Sequence, residues 1–364
     1  MSDIEDKKYI KIIERYTIKS GTRMICNSAF AECNNLKEVL LPSSINFIGE
    51  DAFLGCVKLD KLVLPNSLVY IGDRAFDCED YPPFFDSEPR SNPLVVSISP
   101  SVEMIDGNPF CYNSILQCNN KRFKVIDNVL FSADGKVLIS YCSNENEYIV
   151  PNGVVRIGVG AFRNTPIKKI QFPNTLEVID KQAFEDASEL INISFPESLK
   201  EIRYEAFHRC DFGTGKVSFP SNIEKIAPSA FEFGWLIKMI RVPKGRLEHY
   251  RFILPEWISS QIYDDNTIYE NNLYLSSDRK EVLTAIIGLK NYIIPEGIIS
   301  IRDNAFDSIY YINSIQFPST LRRISMKVFD KEIQELKKVK VPKGTKEQYM
   351  RLLPKFCNVI KEYE

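Results

Sequence analysis

The 364-residue chain carries 46 Lys and Arg against 48 Asp and Glu, and its net charge of −2 provides no basic field of the kind that phosphate-backbone binding needs. Nucleic acid is therefore excluded as the expected partner. Hydrophobic content of 44% and charged content of 26% are those of a folded soluble protein, and no apolar run approaches the roughly 18 residues that a transmembrane helix needs.

At the N-terminus, MSDIEDKKYIKIIERY lacks the apolar stretch and small-residue cleavage site of a secretory signal. The chain as written is expected to be cytoplasmic, with the cell surface or secretion as the alternative if a leader has been removed. The nine cysteines are an odd number and form no CxxC pair. Cys33, Cys56 and Cys210 each stand three residues after a repeated Phe, and Cys78 stands two after. A small, soft residue recurring in one slot is expected to be a buried thiol filling a core gap rather than part of a disulfide framework.

From Ile25 onward the pattern Ile-x4-Phe recurs. It runs Ile25/Phe30, Ile48/Phe53, Ile71/Phe76, Ile105/Phe110, Ile157/Phe162, Ile179/Phe184, Ile202/Phe207, Ile226/Phe231, Ile301/Phe306 and Ile324/Phe329. The commonest step is 23 residues, as from Ile25 to Ile48 to Ile71, and eight of the ten pairs carry Ala just before the Phe. A fixed period of this length predicts a solenoid, in which each unit buries its apolar face only against its neighbours. Counting back from each Ile, positions −3, −7 and −9 are apolar almost everywhere, as Ile45, Leu41 and Val39 show. The alternation at −7 and −9 predicts a short strand with one face inward. Pro at −6, as in Pro42, Pro65, Pro173 and Pro196, ends that strand because it has no N–H to donate. The Ile–Ala–Phe segment then supplies a turn or short helix on the other side.

Four segments depart from this unit. CEDYPPFFDSEPRSNP (78–93) predicts an extended loop in which Phe84 and Phe85 either pack back onto the coil or offer a partner an aromatic contact. In 123–141 two alternating apolar runs flank Asp134-Gly135, a two-residue hairpin turn signal, and 268–286 repeats this more weakly with Asp278-Arg279. In VPKGTKEQYMRLLPKF (341–356), Thr345 and Gln348 predict a capping box for a short helix that Pro354 stops, forming a lid over an open last rung. VPKGRLEHYRFILPEW (242–257) mirrors it, so one array is expected to close near residue 262. That gives two arrays: 1–262, with a hairpin insert at about 121–150 and an internal cap at 242–257, and 263–364, with its own hairpin and C-terminal cap.

LKEVLLPSSINFIGEDAFLGC and LINISFPESLKEIRYEAFHRC resemble the repeat of the bacterial BspA-type leucine-rich repeat proteins. The hairpin segments and the C-terminal lid are similar to that family's accessories. The resemblance implies an α/β repeat solenoid: a right-handed coil with a concave parallel β-sheet, and short helices or turns on the convex side. It also implies adhesion or host-protein binding.

Catalytic chemistry finds no foothold in the sequence. His208 and His249 sit in no HExxH or CxxC…HxxxH arrangement, and there is no GxSxG elbow, P-loop or GxGxxG after a strand. The chain is expected to be a non-enzyme without cofactor or metal. Its expected function is that of a monomeric binding module whose sheet meets a protein, or a glycan. An intracellular scaffold with no adhesive role is the alternative. Outward residues fall at −8 and −10 from each Ile, which nominates Lys169, Gln171, Asn192, Lys216, Arg241 and Lys338, together with Phe84 and Phe85 from the loop.

Overall fold

The structure, a computed structural model, describes residues 13–78, 92–210, 212, 216–232, 239–254, 262–264, 267–285, 289–303, 305–306, 312–324, 328–329 and 336–363. The chain divides into two compact units, Met1–Gly213 with Asn222–Trp235, and Thr214–Ser221 with Leu236–Glu364. Both are built of stacked coils of short parallel strands.

In the first unit each 23-residue phrase makes one coil, and each coil carries two strands. Arg15–Thr17, Glu38–Leu40 and Lys61–Leu62 pair in parallel, with Tyr16, Val39 and Leu62 in one row. Met24–Ile25, Phe47–Ile48, Tyr70–Ile71 and Met104–Ile105 form a second parallel sheet with the four isoleucines in register. After an insert, Arg156–Ile157, Val178–Ile179, Glu201–Ile202 and Lys225–Ile226 repeat the second arrangement. The spacing predicts a turn or short helix at the Ile, whereas the structure places it in a two-residue strand. The cause is the neighbouring coil: Ile25 and Ile48 carbonyls accept the Gly49 and Gly72 N–H groups at 2.9 Å, so the backbone pairs outward instead of closing on itself.

Ala before Phe has an equally local reason. The Phe30, Phe53, Phe162, Phe184 and Phe207 N–H groups each donate to the Ala carbonyl of the following coil at 2.7–2.8 Å. These alanines are fully buried, and a larger side chain would hold the coils apart. The Phe rings stack in a column, with centroids 5.0 Å apart for Phe30–Phe53 and 4.9 Å for Phe184–Phe207. Two residues before the Phe the backbone turns left-handed in coil after coil, at Asp51 (φ 56°), Arg74 (φ 53°), Gln182 (φ 55°) and Glu205 (φ 52°). Gly160 meets the same demand without a Cβ (φ 62°). A further ladder comes from position −4: Ser44, Ser67, Thr175 and Ser198 donate their hydroxyls to carbonyls of the preceding coil at 2.6–2.8 Å.

The insert at 123–141 is a three-stranded meander, Phe123–Ile126, Val129–Ser132 and Val137–Tyr141. Its tightest turn is Asp127-Asn128, both with positive φ, as a primed hairpin turn requires. The Asp134-Gly135 signal marks the second connection, which is longer than two residues because Gly135 N–H closes on the Ser132 carbonyl. The last strand then pairs in parallel with Arg156–Ile157 and founds the next run of coils. Cys33, Cys56 and Cys210 are buried and in no disulfide, but Cys78 is disulfide-bonded to Cys111, with Cα atoms 5.5 Å apart. Phe76 and Phe110 form a parallel bridge on adjacent coils, which brings the residues just beyond them side by side.

In the second unit Lys216–Ser218, Met239–Val242 and Ile262–Asp264 pair in parallel, and Ile262–Asp264 is the edge strand of their sheet. A second meander, Ile268–Glu270, Leu273–Leu275 and Glu281–Ala285, again founds a run of short strands, with Val282, Ile301 and Ile324 in one row. The helices described are the lids Leu247–Ile253 and Lys346–Leu352 and the 3-10 turn Pro354–Val359. Each lid buries one tyrosine whose hydroxyl donates to a strand-ending proline: Tyr250 to the Pro220 carbonyl, and Tyr349 to that of Pro318 at 2.7 Å. The expected capping box is not formed. Thr345 donates its hydroxyl to the Pro342 carbonyl at 2.6 Å, and Gln348 reaches the Leu321 carbonyl at 3.2 Å.

Candidate partner-binding face

Alternating burial along the longer strands decides which side chains a partner can meet. Lys169 and Gln171 are exposed while Ile170 between them is buried, and Lys216, Arg241 and Lys338 are exposed beside buried Val217, Ile240 or Val242, and Val339. Positions −8 and −10 therefore face water.

In the first unit Lys169 stands between Glu147 and Asn192 on neighbouring strands, with Gln171 opposite Ile149. Lys169 Nζ lies 2.5 Å from Glu147 Oε1, an exposed ion pair of small energetic weight. In the second unit Lys216 faces Met239 and Ser218 faces Arg241, so Lys216 and Arg241 are diagonal neighbours. Lys338 belongs to a different sheet, opposite Ser314. Phe84 and Phe85 lie outside the described residues. The nominated residues thus form two small groups and one separate lysine. Further back on the first unit's face the outward residues are partly aliphatic, with Leu40 at 54% and Val63 at 82% exposure.

The sequence reading missed a set of buried titratable side chains one residue past four of the repeated phenylalanines. Asp77, Arg163, Glu185 and His208 occupy that slot and are all buried. Arg163 Nη2 lies 3.4 Å from Asp73 Oδ2, and its Nε lies 3.2 Å from Glu185 Oε2, as an ion pair rather than an aligned hydrogen bond. His208 Nδ1 lies 3.5 Å from Glu185 Oε1. Burial opposes the Arg163 charge, but Asp73, Asp77 and Glu185 outweigh it and raise the guanidinium above its ordinary value. Burial pushes the Glu185 carboxyl up, with Arg163 working against it. Part of the slot was readable, since base, acid and imidazole follow the successive phenylalanines Phe162, Phe184 and Phe207. Glu185, Asp186 and His208 could present ligand atoms within 4.8 Å of one another. Arg163 and Arg209 already stand against those carboxylates, however, at 3.2 and 3.6 Å, and compete for the place a cation would take.

Two-stranded coils, an internal phenylalanine column and polar side chains spread on an outer sheet define a leucine-rich repeat solenoid. The BspA type leucine rich repeat region matches this chain in six copies over residues 7–137, 135–252 and 279–358. The chain belongs to that family. No curated protein matches it. Among solved structures it is similar to the pneumococcal vaccine antigen PcpA, with 19% identity over 96% of this chain and 79% of that one, and a TM-score of 0.48. It is also similar to a leucine rich cell surface protein from Faecalibacterium prausnitzii A2-165, with 24% identity, 69% and 65% coverage and a TM-score of 0.47. A leucine-rich repeat protein from Bacteroides ovatus ATCC 8483 is 21% identical over 97% and 84% of the two chains, with a TM-score of 0.44. Among the described residues, no helix is long and apolar enough to cross a membrane.

Proposed function

We propose that the chain is a non-catalytic binding module that presents the outer face of its longer strands to another protein. The observation that carries this reading is the run of exposed, hydrogen-bonding side chains at fixed positions on neighbouring strands, above all Lys169, Gln171 and Asn192. Strands held by a packed column beneath them offer these groups with little ordering cost, which favours binding. Lys216 with Arg241, and Lys338, extend the same chemistry on the second unit. A glycan is a further class of ligand such groups would take. We place the protein at the cell surface, because the Cys78–Cys111 disulfide suits an oxidising compartment.

Affinity capture with the full chain tests this, using wild type, Lys169→Glu/Asn192→Glu and Lys216→Glu/Arg241→Glu, with glycan arrays in parallel. Loss of the same captured proteins in at least one variant, with unchanged melting, supports the reading. Identical capture by all three chains refutes it.

A further inference from the structure

The short-strand sheet of the first unit carries a second exposed column, one residue before each Ile. Its rungs are Met24, Phe47, Tyr70 and Met104, in register on neighbouring strands. Met24 and Met104 are 52% and 57% exposed, and Phe47 and Tyr70 are half-buried. The same position on the later coils is Arg156, Val178, Glu201 and Lys225, three of the four charged and ion-paired: Arg156 meets Asp180 at 3.3 Å, and Glu201 meets Arg203 at 3.0 Å and Lys225 at 3.5 Å. Solvation alone therefore does not require apolar residues there, and four contiguous apolar or aromatic rungs, against a single valine among the later ones, mark a contact surface.

We propose that this column docks a basic amphipathic helix of a partner protein. Three observations select that occupant. Phe47 and Tyr70 are stacked 4.4 Å apart and 3° from parallel, so each covers a face of the other and the outer surface offers ring edges and thioethers. Such a surface suits branched apolar side chains and not a flat sugar ring. Methionines at both ends adapt to side chains of differing shape. The rungs repeat at about 4.8 Å, close to the helical pitch of about 5.4 Å, so helix side chains at i, i+4, i+7 and i+11 stay within about 2 Å of successive rungs. An extended strand laid along the column would place same-side residues about 6.8 Å apart and fall about 4 Å out of register by the third rung.

Charge selects the flank. Glu50 and Asp106 are exposed beside the column, and neither has an ion-pair partner among the described residues. Tyr70 donates its hydroxyl to Asp106 Oδ2 at 3.2 Å, which fixes that carboxylate at the stripe's edge. Arg23 adds one positive charge at the first rung, so the acidic rim belongs to the later rungs. A helix with Lys or Arg beside its apolar face complements both features.

The test pans the full chain against a display library of helical peptides of about four turns, apolar at i, i+4, i+7 and i+11 and randomised elsewhere. Enriched peptides are expected to carry Lys or Arg on their flanks. They should bind Met24→Glu/Met104→Glu and Glu50→Lys/Asp106→Lys about tenfold or more weakly than wild type, with melting unchanged. The Lys169→Glu/Asn192→Glu variant should bind them normally, which separates this surface from the long-strand face. No enrichment, enrichment of acidic peptides, or equal binding to both column variants overturns the proposal. Self-association of the wild type that Met24→Glu/Met104→Glu abolishes also overturns it, and assigns the column to a second copy.

Discussion

Arg163 and Asp73 are 90 positions apart in the sequence, yet their side chains meet at 3.4 Å. The 123–141 meander lies between them in the chain, and Arg163 reaches past it to tie the coils on one side to those on the other. Space for Asp73 is made by Gly107 (φ 56°), where a Cβ would fall 2.2 Å from Asp73 Oδ1, and the Asn108 N–H donates to that same oxygen at 2.8 Å. Asn108 in turn donates to the Gly160 carbonyl at 2.8 Å and accepts the Ser140 hydroxyl at 2.6 Å. The joint is thus a polar clasp inside an apolar column.

Arg163→Met should lower unfolding free energy by about 3–5 kcal/mol, because it leaves the buried Glu185 and the partly buried Asp73 without their shared cation. Adding Asp73→Asn and Glu185→Gln to the same chain should recover most of that loss. Urea unfolding of the three chains measures both effects. A single-variant loss below about 1 kcal/mol would mean that the clasp is an incidental contact.

Phe207→Ala removes a fully buried ring stacked at 4.9 Å on Phe184 and 5.2 Å on Phe231. Lost transfer energy and the cavity left behind together predict a cost of about 3–5 kcal/mol. Equilibrium unfolding checks it, and a cost under about 1 kcal/mol would contradict the assignment of Phe207 to the column that holds the coils together.

The Ile, Ala and Phe positions were legible because each meets its own counterpart one coil away, so core constraints are printed at one period. The hydroxyl ladder of Ser44, Ser67, Thr175 and Ser198 was equally periodic but was not recognised, since Ser and Thr after a proline read as ordinary turn residues. The second sheet was not legible, because two-residue strands such as Phe47–Ile48 show no alternation to detect. Arg163–Asp73 and Cys78–Cys111 could not be read from spacing, because the folded path of each insert decides which coils become neighbours. On the candidate face, alternation identified Lys169 and Gln171 as outward residues. It could not show that Lys169 already has Glu147 beside it.

The two meanders make the same turn with different residues. Asp134 accepts the Ser132 hydroxyl at 2.6 Å and the Lys136 N–H at 3.0 Å, and Asp278 does the same with Ser276 and Lys280. The next position is left-handed in both, but it is Gly135 (φ 74°) in the first and Arg279 (φ 55°) in the second. A side chain in that region costs about 1 kcal/mol, so Arg279→Gly should stabilise the second unit by roughly that amount despite losing an exposed contact with Glu270. Gly135→Ala should destabilise the first unit by a similar amount. Melting curves of both variants check the pair, and equal shifts of the same sign would contradict the shared geometry.

Asp77 gives the fold a pH dependence of unusual sign. Its carboxyl is buried and accepts the Cys78 N–H at 2.8 Å. Burial pushes its pKa up from the ordinary aspartate value, with Arg163 and Arg74 working against the rise. An acid whose pKa is raised by folding binds its proton more tightly in the native state than in the unfolded one. Its contribution to stability is therefore complete below the ordinary value, near about 4, and is lost as pH rises through the raised one. Asp77→Asn keeps an acceptor for the Cys78 N–H and removes the titration. The variant's stability relative to wild type should improve as pH climbs from about 4 towards neutrality, and urea midpoints at several pH values would measure it. Parallel profiles for the two chains would mean that Asp77 is equally willing to ionise folded and unfolded.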